Sequence, residues 1–260
     1  MILSLITRSK NIYDEMKLSF LTSSMDRIHH LKQTYLKNIE NSLSTNGCKV
    51  EFVLLNYNST DGIDKWVEAE LKNLPVEFKY LKTTKPTYFH MSKVKNILGK
   101  NATGDVLCWL DADNITNKGF VQYVAETYTN DSKMALKVDW SESTAGTCGR
   151  LVCRKEDFLK VGGYDEQMSG WGYEEIDFWK RLEVSGIRPL DIPSGFLGKL
   201  EHGDADRFDN YEPGSIKKLP RNHQLHIMQY TSNVDNFQHS LNNIVSKKYV
   251  SNVGADWGKL

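Results

Sequence analysis

Alternation between apolar runs and segments with helical spacing, over the first 110 residues, constrains the fold of this chain more than any other feature. Four apolar runs predict strands, at residues 18–23, 50–56, 76–81 and 105–110. Apolar residues recur at helical spacing between them, from residue 31 to 39, around 63–73 and over 91–101. Strands that alternate with helices predict a mostly parallel α/β sheet flanked by helices, and such sheets bind ligands beyond the carboxyl ends of their strands.

The second half of the chain has a different pattern. Strands are predicted at 134–139 and 147–154, and a helix at 174–185 is closed by Gly186. After residue 203 the chain is polar, with weak helical patterning near 218–230 and 236–247. We therefore expect an α/β domain over residues 1–203 and a C-terminal, partly helical appendage over 204–260 that is not an independent domain.

Charge and composition exclude several classes of protein. The 33 Lys and Arg residues balance 33 Asp and Glu residues, so there is no basic excess to predict nucleic acid as a partner. No run of about 18 apolar residues predicts a transmembrane helix, and the N-terminal apolar run lacks the basic region of a signal peptide. The four cysteines form no CxxC pair, which is typical of reduced thiols. We expect a cytoplasmic location, with peripheral attachment to a membrane left open.

Two carboxylates follow the fourth apolar run directly, in the sequence Asp111-Ala112-Asp113. Strand alternation turns both side chains the same way, at an edge of the sheet where ligands bind. Oxygen ligands suit a hard divalent cation, which would in turn bridge to phosphate oxygens. The alternative is a polar turn that continues into Asn114.

Glycine-rich segments precede the helix predicted at 174–185, in the sequences GGYDE at 162–166 and GWGYEEID at 170–177. Glycines allow a loop to pass close to a ligand. Trp171, between two glycines, has little local packing support, and its indole is a suitable platform for the apolar face of a sugar ring.

Three acidic residues crowd the first turn of that helix. The helix macrodipole favours acidic residues at an N-terminus, and Asp177 with Arg181 forms an ordinary i,i+4 ion pair. We interpret Asp177 as structural for this reason. Glu174 and Glu175 follow a loop too unusual for a simple cap, and we interpret Glu175 as functional.

Together these motifs resemble those of a known family. The run FLKVGGYDEQMSGWGYEEIDFWKRL resembles the acceptor-site segment of GT-A glycosyltransferases of the galactosyltransferase and N-acetylgalactosaminyltransferase type, and DADN resembles their DxD motif. Weaker similarity to this group and to family 2 extends over residues 18–202, through TSSMDR at 22–27, NYNSTDG at 56–62 and the pair Lys95-Asn96. The resemblance implies a GT-A catalytic domain over residues 1–203.

The resemblance also implies roles for individual residues. Glu175 would be the catalytic base, and Trp171, Gly172 and Glu174 would bind the acceptor. Asp113 would ligate Mn²⁺ or Mg²⁺, and His202 lies where the family places a further metal ligand. The nucleotide-sugar contacts would come from Thr22, Arg27, Asn56, Asp61, Lys95, Asp111 and Ala112.

This sequence departs from the family pattern at two of those positions. Asn56 stands where the family usually has the Asp that binds uracil, although an amide can still accept from N3–H and donate to O4 of that base. Glu175 stands where the base is more often Asp, so a longer side chain would have to reach the acceptor.

We therefore predict an inverting, metal-assisted glycosyltransferase that moves a sugar from a UDP-sugar to an acceptor hydroxyl in glycan or polysaccharide synthesis. The expected partners are a nucleotide sugar and a carbohydrate or glycoconjugate acceptor. A nucleotidyltransferase is one alternative, but TSSMDR is not a Gly-rich, basic phosphate loop. A glycoside hydrolase would leave DADN unexplained, and a DxD phosphatase would carry its motif near the first strand. The remaining alternative is a sugar-binding module of the same fold without catalytic activity.

Overall fold

The computed structural model describes residues 16–44, 48–141, 144–203, 210–212 and 219–260. The N-terminal apolar run lies mainly outside the described residues, and so do residues 204–209 and 213–218 of the predicted appendage. The predictions on the signal peptide and on the domain division at residue 203 stay predictions.

The first part of the chain alternates strands and helices as predicted. Its elements are β1 (Lys17–Ser24), α1 (Ile28–Leu43), β2 (Lys49–Tyr57), α2 (Ile63–Glu70), β3 (Glu77–Thr83), α3 (Met91–Asn101), β4 (Val106–Trp109), β5 (Asn114–Thr116) and α4 (Phe120–Asn130). The second part contains β6 (Met134–Lys137), β7 (Leu151–Arg154), α5 (Lys155–Lys160), α6 (Glu174–Val184), β8 (Arg188–Asp191), a 3-10 helix (Ser194–Phe196), β9 (Leu197–Lys199) and α7 (Arg221–Val245).

One seven-stranded sheet organises the molecule, in the order β3-β2-β1-β4-β7-β6-β8. Strands β1 to β4 are parallel, with Ser24 opposite Asn56 and Leu21 opposite Trp109. β7 is antiparallel to both of its neighbours, and β6 and β8 are parallel. The predicted α/β fold with a mostly parallel sheet is therefore confirmed. Because β2 and β4 lie on opposite sides of β1, the crevice beyond β1 and β4 is the switch point where such sheets bind ligands.

Strand alternation divides the core between the two faces of the sheet. Phe20 and Cys108 belong to one apolar cluster, which packs under α1, α2 and α4. Leu21 and Trp109, one residue further along, belong to the other, which packs against α3 and α6. Both faces of the central strands are covered, which explains why these strands are continuous apolar runs in the sequence.

The structure corrects two predictions in the second half. The strand predicted at 147–154 begins only at Leu151, because Thr147 N–H bonds Thr144 O and Arg150 N–H bonds Thr147 O, each at 3.0 Å, in successive turns. The two weak helical segments of the tail are one helix, α7. None of the described helices is long and apolar enough to cross a bilayer.

Candidate active site

A cleft of about 340 Å³ opens at the carboxyl ends of β1 and β4. Nine of the predicted site residues line it: Arg27, Asp111, Ala112, Asp113, Trp171, Gly172, Glu174, Glu175 and His202. The structure thus brings the DADN motif together with the GWGYEE segment, about 60 residues further along the chain. Their roles stay predictions.

The DADN turn is held in place by α1 and by a glycine. Thr34 Oγ1 donates to Ala112 O at 2.7 Å, and Asn38 Nδ2 donates to Asn114 O at 2.9 Å. A Cβ at Gly149 would lie 2.2 Å from Asp111 Oδ2, so the carboxylate occupies space that only a glycine leaves open. Burial raises the pKa of Asp111 to about 6, an effect that Lys95 opposes.

Asp113 and His202 are in direct contact at the lining of the cleft. His202 Nε2 lies 2.6 Å from Asp113 Oδ2, and Asn114 Nδ2 donates to Asp113 Oδ1 at 2.9 Å. Asn114 is itself bound by the buried guanidinium of Arg150, whose Nη2 lies 3.3 Å from Asn114 Oδ1. This chain of contacts orients Asp113 before any ligand arrives.

Carboxylate and imidazole donors at this position fit Mn²⁺, and the carboxylates also fit Mg²⁺. Within the described residues, no three His, Cys, Asp or Glu side chains form a group that could hold an ion. Asp113 and His202 could therefore supply two ligands to such an ion, and its other ligands would have to come from outside the described residues.

The GWGY loop turns sharply into α6. Its backbone is left-handed at Gly170 (φ 73°), Gly172 (φ 104°) and Tyr173 (φ 75°), and left-handed backbone is rare for a residue as bulky as tyrosine. The consequence is that α6 begins at the cleft, with Glu174 and Glu175 in its first turn and Trp171 on the wall.

The buried ammonium of Lys95 lies under these carboxylates and forms an ion pair with Glu175 Oε1. Burial alone would lower the pKa of Lys95, but the carboxylates of Glu175, Asp111 and Glu174 outweigh burial and raise it. Lys95 is therefore charged, and it is positioned to hold the side chain of Glu175 through this ion pair.

The electrostatic environment of Glu174 differs from that of Glu175. It is 3% exposed, and burial together with its neighbour Glu175 raises its pKa well above the usual range. Its Oε2 has no hydrogen-bond partner among the described residues. The raised pKa of Glu174 favours its protonated form, whereas its neighbour Glu175 is paired with Lys95. Such different environments are typical of paired acids with different roles.

Four predicted nucleotide-sugar contacts do not line the cleft. Thr22 is buried in β1, and Lys95 lies beneath Glu175. Asp61 Oδ2 accepts from the N–H of Ile28 at 2.7 Å and so caps α1.

Asn56, the fourth of these residues, is fully buried. Both ends of its amide are engaged, since Oδ1 accepts from Ser59 N–H at 2.7 Å and Nδ2 donates to Asp64 Oδ1 at 2.9 Å. Its geometry therefore gives no support for contact with uracil.

Several residues of the cleft were missed by sequence reasoning. The ring of His30 lies 4.7 Å from that of His202, and burial, with His29 and His202 nearby, lowers the pKa of His30 to about 4, so it is neutral. The sequence feature that could have identified His30 is its position in the first turn of α1, the helix that follows β1. Tyr211 and Asn233 also line the cleft, and no local pattern in the polar tail distinguishes them.

Two family models match overlapping parts of this chain. Glycosyl transferase family 2 matches residues 27–152, which include DADN, and the N-terminal domain of galactosyltransferase matches residues 131–205, which include GWGYEE and His202. These matches support a GT-A protein of the galactosyl- and N-acetylgalactosaminyltransferase-like kind.

Individual proteins agree with this assignment. The "Probable N-acetylgalactosaminyltransferase 9" of Caenorhabditis elegans is 23% identical over 147 residues, which cover 39% of this chain and 25% of that protein. The chain spans between 4 and 25% of the length of the curated relatives that it matches.

Solved structures share the fold. GalNAc-T7 with UDP, GalNAc and Mn²⁺ superposes with a TM-score of 0.63 at 14% identity, covering 88% of this chain and 48% of that one. The mannosyltransferase PcManGT of Pyrobaculum calidifontis, with GDP-Man and Mn²⁺, has a TM-score of 0.58 at 14% identity, covering 90% and 76%. The predicted GT-A fold is thereby confirmed.

Proposed function

We propose that this chain transfers a sugar from a nucleotide-diphosphate sugar to a hydroxyl group of a carbohydrate acceptor, with inversion at the anomeric carbon. One observation carries the proposal: a single cleft is lined both by the Asp113–His202 pair and by Trp171, Glu174 and Glu175. The first set suits a diphosphate leaving group, and the second suits a sugar hydroxyl that has to lose a proton.

The donor would be bound at the DADN side. Asp113 and His202 would hold Mn²⁺ or Mg²⁺, which when bound supplies positive charge against the charge that develops on the departing diphosphate. Arg27 is the only arginine or lysine among the described residues that line the cleft, and its guanidinium geometry suits phosphate oxygens.

The acceptor would be bound at the GWGYEE side. Trp171 offers an indole for the apolar face of the sugar, and Glu174, held neutral, can donate a hydrogen bond to a hydroxyl or ether oxygen. Glu175, positioned by its ion pair with Lys95, would remove the proton from the acceptor hydroxyl as that oxygen attacks the anomeric carbon. A single displacement from the face opposite the leaving group inverts the centre.

Uridine is our proposed nucleoside, supported by structural neighbours that were solved with UDP or a UDP-sugar. One neighbour was solved with GDP-Man, which makes guanosine the competing choice. Asn56 does not distinguish them, because its amide is engaged within the protein.

The test is thermal stabilisation of the chain by UDP and by GDP, each with and without Mn²⁺, followed by a screen of sugar transfer from the matching nucleotide sugars. We expect a rise in melting temperature that requires Mn²⁺ and is larger for UDP, and transfer to an added glycoside. Binding without any transfer would favour the sugar-binding module. No stabilisation by either nucleotide would contradict the proposal.

A further inference from the structure

The C-terminal helix α7 forms a wall of the proposed acceptor site. Trp171 N–H donates to Ser232 Oγ at 3.1 Å, and Asn236 Nδ2 donates to Gly172 O at 2.8 Å and to Ser169 O at 3.1 Å. One turn further on, Ser240 Oγ donates to Asp177 Oδ1 of α6 at 2.7 Å. Side chains from successive turns of α7 are thus used to hold the GWGY loop and the start of α6.

Asn233 lies on the same side of α7 but is used differently. It lines the cleft, and among the described residues its amide has no hydrogen-bond partner. Its amide packs flat on the backbone of Gly172, where a Cβ would come within 2.9 Å of Asn233 Cγ and within 3.1 and 3.2 Å of its Oδ1 and Nδ2. Packing therefore holds this amide in place while its polar atoms stay available to a ligand.

An amide held in this way offers a donor and an acceptor at fixed positions. That combination matches the hydroxyl groups of a sugar, which both donate and accept. Because the amide is already immobilised against Gly172, binding would cost little further side-chain entropy. The neighbouring wall residue is Trp171, the proposed platform for the sugar ring.

We infer that the Asn233 side-chain amide hydrogen-bonds hydroxyl groups of the acceptor sugar seated on Trp171, so that α7 takes part in the choice of acceptor. The inference rests on the proposed function, since it assigns a new contact to the same site. It gives α7 a role in substrate binding in addition to its role in holding the loop.

The experiment compares Asn233→Leu, which keeps the approximate size but removes the polar atoms, with Asn242→Leu at an exposed position of the same helix. Asn233→Ser is a second variant that is smaller and keeps a hydroxyl. The probe is the para-nitrophenyl monosaccharide glycoside that the wild-type chain uses best. The measurements are kcat and KM for that glycoside, hydrolysis of the donor by water, donor affinity and melting temperature.

We expect Asn233→Leu to lower kcat/KM for the glycoside by about 3- to 10-fold, the effect of one or two neutral hydrogen bonds. Donor hydrolysis and donor affinity should equal those of Asn242→Leu, because water and the donor do not use the amide. Asn233→Ser should give an intermediate value.

An Asn233→Leu chain with glycoside kcat/KM within twofold of the Asn242→Leu control would overturn the inference. So would an equal fall in glycoside transfer and donor hydrolysis, which would mean that the loop itself was displaced. If the wild-type chain transferred no sugar from any donor, the proposed function would fail and take this inference with it. Intact wild-type transfer with unchanged variant kinetics would refute the inference alone.

Discussion

Lys95→Met is the substitution whose effect can be worked out most fully from the structure. It removes an ammonium group that is 3% exposed, paired with Glu175 and within electrostatic reach of Asp111 and Glu174. Loss of one partner from a buried ion pair costs about 3–5 kcal/mol, because the remaining charge is left uncompensated. For a chain of this size we expect the melting temperature to fall by about 6–20 °C.

The pH dependence of this loss has a definite sign. The carboxylates raise the pKa of Lys95 above its usual 10.5, so its stabilising contribution is fully present at neutral pH and is lost only as pH rises through that raised value. In the Lys95→Met variant, the pH dependence of stability comes instead from the changed pKa values of the neighbouring carboxylates. Burial already raises the pKa of Asp111 to about 6, and without Lys95 that pKa would rise further.

The folded variant would then bind more protons than the unfolded chain, so its stability falls as pH rises. The difference in unfolding free energy between wild type and variant should therefore be larger at pH 8 than at pH 5. Urea denaturation at both pH values, in the presence of a chelator, measures it. Lys93→Met is the matched control, since Lys93 is exposed on the same helix.

A loss of unfolding free energy below about 1 kcal/mol would refute the reasoning. So would a difference in unfolding free energy between wild type and Lys95→Met that grows as the pH falls. Donor affinity provides a separate comparison, because the family resemblance implies that Lys95 contacts the nucleotide sugar. If Lys95→Met weakened donor binding tenfold while stability stayed at the wild-type level, Lys95 would be a donor contact and not a support for Glu175.

Three further predictions concern the proposed chemistry. Glu175→Gln should lower kcat by about 10²–10⁴ with donor affinity near normal, whereas Glu174→Gln should act mainly on acceptor KM; the opposite outcome in steady-state kinetics would exchange the two roles. Asp113→Asn should lower transfer by orders of magnitude at saturating donor while circular dichroism shows an intact fold, and activity within about threefold of wild type would remove the metal assignment. Trp171→Ala should raise acceptor KM and cost less than the about 3–5 kcal/mol of a fully buried Trp; a larger loss of stability with unaltered acceptor kinetics would make Trp171 a packing residue.

The long central elements could be predicted because their signals are local. The strands β1, β2 and β4 are buried on both faces and appear as apolar runs, and α3 repeats apolar residues at helical spacing over Met91–Asn101, the range predicted. The same reasoning failed at residues 147–150, which were predicted to be the start of a strand. Backbone hydrogen bonds to Thr144 and Thr147 make turns there, and strand propensity depends too much on context to exclude them.

The features of the candidate site likewise divide into those that local sequence predicts and those that it does not. Three features could be predicted from local sequence: the parallel sheet, the position of Asp111 and Asp113 at the end of a buried strand, and the acidic start of α6 after the GWG turn. The partners of these groups depend on the tertiary structure.

Lys95 lies beneath Glu175, Asn56 is engaged by its own turn, and Asn233 packs on Gly172. The pairs formed by Lys95 and by Asn233 join residues separated by 80 and by 61 positions. Their side chains meet because the sheet and α7 bring distant segments to one cleft, and burial there decides which groups are charged. No periodicity or local motif encodes either effect.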